Sequence, residues 1–118
     1  MTSYEIELDT FEIVVRGGVR RVTWQVADGD EWLSAADFPG AAVENRDRAP
    51  GMVWLRRVLV SLPLGARLMR VESAPERARA KDPLAYLWGA PRSREWRVKR
   101  SYFIVSDHGQ LTRSETAG

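Results

Sequence analysis

YEIELDTFEIVVR, residues 4–16, runs into GGVRRVTWQVADG, residues 17–29, and together they carry the chain's strongest strand pattern. Its apolar residues alternate with polar ones at the period of a strand, and they are β-branched or aromatic. The alternation changes phase. Tyr4, Ile6 and Leu8 share one face, whereas Phe11, Ile13 and Val15 share the other. A slip of one residue near Asp9-Thr10, as at a β-bulge or a break between two strands, accounts for such a change. Gly17-Gly18 tolerates the positive φ of a tight hairpin turn, and the return strand, Arg20 to Ala27, keeps Val22, Trp24 and Val26 on one side.

Working outward, Asp28-Gly29 signals another turn, and Asp30 to Phe38 fits either a short strand or a helical turn. Pro39-Gly40 and Pro50-Gly51 bracket a polar segment that contains ENRDR, so residues 39–51 read as a long exposed loop. MVWLRRVLVSL, residues 52–62, followed by Pro63-Leu64-Gly65-Ala66 and a strand from Arg67, reads as a second hairpin. An amphipathic helix over Val53–Leu62 is the competing reading. Ser73-Ala74-Pro75-Glu76 matches a capping box, and Asp82-Pro83 with Gly89 marks a second start and stop. These signals predict a short, kinked helical segment over 74–88, anchored by Leu84, Leu87 and Trp88. Residues 94–106 return to strand, Asp107-His108-Gly109 turns the chain, Leu111–Arg113 pairs back, and 114–118 frays. The expectation is α+β: one domain over residues 1–118, mainly antiparallel hairpins with a helical segment on one side.

The 118 residues include no cysteine and one histidine, which removes disulfides, thiolate chemistry and His- or Cys-based metal sites. No P-loop, G-x-G-x-x-G or G-x-S-x-G pattern is present. His108 sits in a turn, and the acidic run Asp28-Gly29-Asp30-Glu31 lacks the spacing of an EF-hand. The inventory therefore points away from an enzyme and toward a protein with no cofactor and no metal. No apolar run approaches the roughly twenty residues of a membrane-spanning helix. MTSYEIELD is acidic and unlike a signal peptide, which leads to the expectation of a soluble, cytoplasmic protein without a membrane partner.

Charge is polarised along the chain. Residues 1–50 carry ten acids and five arginines, whereas residues 51–118 carry six acids and thirteen basic residues. Arginine outnumbers lysine sixteen to two; a GC-rich genome produces that ratio, and so does a surface selected for docking. The basic segment Arg92 to Phe103 combines Arg92, Arg94, Arg97, Lys99 and Arg100 with Trp96 and Tyr102. As a strand it puts Arg97 and Lys99 on one face and Trp96, Val98 and Tyr102 on the other. Arg56, Arg57, Arg67 and Arg70 extend this surface if their strands are neighbours. Of the five tryptophans, Trp24 and Trp88 suit a core, and Trp32 and Trp96 suit exposure.

The leading expectation is a non-catalytic interaction protein of bacterial or phage type, such as an adaptor, inhibitor or assembly component. It would dock on a larger protein or nucleoprotein complex through its Arg/Trp-rich C-terminal half. Single-stranded nucleic-acid binding through strand 92–103 is the first alternative. A homo-oligomer joining acidic N-terminal to basic C-terminal halves is the second.

Overall fold

The computed structural model describes residues 3–15, 18–46, 52–75 and 96–114. They form eight strands: β1 (Ser3–Val15), β2 (Gly18–Asp28), β3 (Glu31–Ser34), β4 (Ala42–Arg46), β5 (Met52–Pro63), β6 (Arg67–Pro75), β7 (Trp96–Val105) and β8 (Leu111–Ser114). The one helical element among the described residues is a 3₁₀ turn at Ala35–Asp37. All pairings are antiparallel, in the order β4-β5-β1-β2-β6-β7-β8, with β3 added to β2 beyond the end of β1.

The α+β expectation is corrected: the described residues are nearly all antiparallel sheet. Ala74 and Pro75, expected at a helix start, are the last residues of β6 and pair with Arg97 and Trp96. The remainder of the expected helix, with Leu84, Leu87 and Trp88, lies outside the described residues.

The phase change in β1 has a structural cause different from a slip at Asp9-Thr10. β1 pairs with β5 without interruption from Ser3 to Glu12, and the one irregularity falls between Glu12 and Ile13. Its side chains alternate throughout. What changes is the partner. Phe11–Val15 pair with β2, whereas Ser3–Thr10 pair only with β5. At Thr10 and Thr23 the β1–β2 hairpin forks, and its two strands pass into separate layers.

Below the fork, β4, β5 and the first half of β1 form one layer. The second half of β2, with β3, β6, β7 and β8, forms the other. The core lies between them: Ile6, Leu8, Val58, Val60 and Leu62 from the first layer meet Val26, Leu68 and Val105 from the second. Because β1 lies over β2 there, the even-numbered face of β1 meets the even-numbered, Val26-bearing face of β2. Above the fork the same two strands lie side by side, and the odd-numbered face of β1 becomes the apolar one. Phe11 there stands between Val22 and Leu55, both buried yet apart from the main core. Each fully buried Leu or Val contributes about 1.5–3 kcal/mol relative to exposure, so the main core carries most of the stabilisation.

Two connections cross between layers. Ala35, in the 3₁₀ turn after β3, is buried in the core, and Phe38 and Ala41 pack against it as the chain passes to β4. The second crossing is Pro63–Ala66. Its turn chemistry resembles a hairpin's, but β5 and β6 do not pair, which corrects the second-hairpin reading. Gly65, at φ +82°, makes the corner, its N–H donates to the Val105 carbonyl (3.0 Å), and the Val105 N–H donates to that of Ala66 (2.9 Å). The expected loop 39–51 is corrected in part as well: Ala42–Arg46 form β4, an edge strand exposed along its length. Residues 47–51 lie outside the described residues.

Two side chains tie the fork and the layers. The Trp24 indole N–H donates to the Asp9 carbonyl (3.2 Å), just where β1 has left β2. The Tyr4 hydroxyl donates to the Asp107 carbonyl (2.6 Å), fastening the start of β1 to the β7–β8 turn. Gly109 in that turn has φ +70°, and a Cβ there would stand 2.8 Å from the Tyr4 ring.

Candidate docking surface

β7 runs the length of the second layer, but its outer neighbour is short. Among the described residues β8 pairs with Tyr102–Val105, and Ser114, the last of them, meets Tyr102. From Trp96 to Ser101, β7 is paired with β6 on one side and with no described strand on the other. Arg97, Val98, Lys99 and Arg100 are all exposed. Just past the end of β8 a cleft of about 590 Å³ opens, lined by Arg100, Ser101, Tyr102, Arg113 and Ser114.

The register places the side chains. Lys99 pairs with Glu72 and Arg97 with Ala74, so both cations lie on the face that Leu68 and Phe103 turn toward the core farther along. Val98 and Arg100 lie on the opposite face with Tyr102, as the alternation of the sequence implies. Successive same-face residues stand about 7 Å apart along a strand. Arg97, Lys99, Arg100 and Arg113 form no ion pair among the described residues. Glu72, the carboxylate opposite Lys99, is instead held by Arg70 at 2.7 Å.

The other arginines proposed from the sequence separate from this group. Arg57 binds Glu7 at 2.6 Å on the outer side of the first layer, and Arg56, on the face that carries Val58 and Val60, hydrogen-bonds Asn45. β5 is three strands from β6, so neither arginine extends the β7 surface. Arg70 does lie on the neighbouring strand, but its guanidinium stands over the Trp24 ring (5.8 Å) and pairs with Glu72. Its Nε is buried without an acceptor, which marks a packing role. Arg67 is half-buried opposite Ile104. Trp32, on β3, is half-buried and packs at 6.1 Å against Tyr102, next to the cleft. Arg92 and Arg94 lie outside the described residues. Trp96 is described only as a backbone position in β7.

The described aromatics are all at least half-buried. Trp24 and Phe103 contact each other at 5.4 Å and pack against the core, as do Tyr4 and Phe38. The large apolar residues that do stand exposed are aliphatic: Val14, Val43, Leu64, Val98 and Ile104. His108 is an exposed turn residue, and the Asp28–Glu31 carboxylates are solvated around a turn with Gly29 at φ +64°. Among the described residues no group of three acidic, His or Cys side chains is placed to hold a metal ion. No described helix is long and apolar enough to cross a membrane. No protein-family model, curated protein or solved structure matches this chain.

Proposed function

We propose that the protein is a non-catalytic docking module of the cytoplasm, which attaches to a larger protein assembly through the exposed portion of β7. The observation that carries this reading is the exposure of Arg97, Lys99 and Arg100 on β7, none of them neutralised by an ion pair among the described residues. Like charges held side by side repel, and a partner that supplies carboxylates relieves that repulsion while its complementary field steers the encounter. A charged edge also protects a sheet from uncontrolled pairing.

A protein partner is favoured over single-stranded nucleic acid by the aromatic rings. Binding of that kind stacks bases on exposed rings beside the cations. Among the described side chains, Trp24 is covered by Arg70, Phe103 packs on the core, and Tyr102 is occupied by Trp32. The test compares the native chain with an Arg97→Glu/Lys99→Glu/Arg100→Glu variant of unchanged melting temperature. The native chain is expected to retain a protein partner that the variant loses. Both are also titrated with single-stranded DNA, duplex DNA and RNA at about 50 and 200 mM salt, where phosphate-driven binding changes steeply. Partner retention by the variant, or nucleic-acid binding that persists at the higher salt, would overturn the reading.

A further inference from the structure

We infer that copies of this chain associate head to tail, the tip of one copy below the fork seating against the basic part of β7 above the fork in the next. This inference rests on the docking reading and supplies its partner: the first component of the assembly is another copy.

Two poles of opposite charge stand at opposite ends of the second layer, and the strand register orders them. Above the fork, Arg97 and Lys99 pair with Ala74 and Glu72, with Arg100 beside them on β7. Arg20, one residue past the Arg21–Ser73 pair, adds an exposed cation from β2. Below the fork, the β2–β6 register sets Val26 opposite Leu68, which carries Asp28 and the β2–β3 turn to the level of Ala66. The Val105 N–H bond to the Ala66 carbonyl brings Asp107 to the same tip. Asp28, Asp30, Glu31 and Asp107 are exposed there and form no salt bridge among the described residues. Each pole also sets one aliphatic side chain near its charges. Leu64, at the corner between the layers, is 51% exposed, and Val98, between Arg97 and Lys99, is 45% exposed.

The poles do not neutralise one another within a copy. Ala66 to Ala74 spans about 26 Å of strand, roughly three Debye lengths at physiological ionic strength. Between copies the same charges come within a few ångströms, where complementary fields steer the encounter and fix its orientation. Leu64 of one copy then covers Val98 of the next. Residues 76–95 carry five basic and three acidic residues, a net charge too small to reverse either pole. Because the joint pairs two different surfaces, it does not close on itself as a two-fold dimer does, and it produces an open series of sizes.

The experiment is sedimentation velocity of the full chain between about 50 and 500 mM salt, over which the screening length falls from roughly 14 to 4 Å. At low salt the average mass is expected to rise continuously with concentration, and at high salt to return to the monomer. Arg97→Glu/Lys99→Glu/Arg100→Glu gives the chain two acidic poles, and Asp28→Lys/Asp30→Lys/Glu31→Lys gives it two basic ones. Each variant should stay monomeric alone, and an equimolar mixture of the two should associate again, which also shows that both are folded. A native chain that is monomeric at low salt and high concentration would overturn the inference, as would a mixture that stays monomeric. A dimer that both variants retain would overturn it too. The partner-retention comparison decides the docking reading separately: a foreign protein held by a monomeric native chain, and lost by the Arg97→Glu/Lys99→Glu/Arg100→Glu variant, would leave that reading standing and overturn this one.

Discussion

The two ends of the β1–β2 hairpin use the same strands in opposite ways. Below the fork, Ile6 and Leu8 are sealed between two layers, facing Val26, Leu68 and Val105. Above it, Val14 on the same face of β1 stands 59% exposed, and Phe11, Ile13 and Val15 put the apolar side chains on the other face of a side-by-side sheet. The first end satisfies itself, and the second presents surface. The difference shows how one 13-residue strand serves both a sealed core and an exposed sheet: it keeps β5 beside it as far as Ile13 and gains β2 from Phe11 onward, without breaking.

The largest expected effect separates the two ends. Leu62→Ala, in the sealed core, should cost about 2–5 kcal/mol, because the cavity cannot collapse between two sheets. Val14→Ala, at the exposed end, should change stability by no more than about 0.5 kcal/mol. Denaturant titration of both variants checks this contrast, and equal losses would break it. Gly109→Ala comes next. It forces a side chain into positive φ and against the Tyr4 ring, at an expected cost of about 1–3 kcal/mol. Gly29→Ala has a similar φ but meets nothing within 4 Å, so it should cost less. The difference between these two glycine variants isolates the Tyr4 clasp.

Much of this fold can be read from the sequence, up to the point where long-range pairing decides. The β1–β2 hairpin, the Asp28-Gly29 turn and the facing of Arg97, Lys99 and Val98 follow from alternation, which is a local property. The α+β reading fails on Ser73–Glu76, where capping chemistry sits in a segment that β7 holds extended to Pro75. Pro63-Leu64-Gly65 offers the same turn chemistry to a hairpin and to an interlayer corner, and only the partners of β5 and β6 distinguish them. The phase change in YEIELDTFEIVVR is a true signal. It records the fork, although the same pattern suits a bulge. β4 escapes a sequence reading because an edge strand is dressed in the charges of a loop.

The candidate surface divides in the same manner. Arg97, Lys99 and Arg100 are legible because their neighbours in sequence are their neighbours on the strand. Arg57 and Arg70 are not. Glu7, fifty residues from Arg57, neutralises it, and Trp24 takes the guanidinium of Arg70 from another strand. A conservative change sharpens this division. Arg70→Gln should lower stability slightly and leave partner affinity unchanged, whereas Arg97→Gln should do the reverse.

Smaller effects probe the fork itself. Trp24→Phe keeps the ring against Phe103 and removes the hydrogen bond to Asp9, with an expected loss of about 1 kcal/mol by thermal melting. Beyond the fork, the Glu12–Arg21 pair (2.6 Å) is largely solvent-exposed on its arginine side. A double-mutant cycle there should return about 0–1 kcal/mol and fade with salt. A coupling well above that range would mean that the upper end contributes to stability as the core does.

Native-state hydrogen exchange, resolved by residue, tests the division between the two ends most directly. Amides of Leu8, Val60 and Leu68 should exchange only through global unfolding, with a shared free energy equal to that from denaturant titration. Amides of Arg97–Ser101 that point away from β6 should exchange orders of magnitude faster. Uniform protection along β7, equal to that of Leu8 and Leu68, would contradict the account.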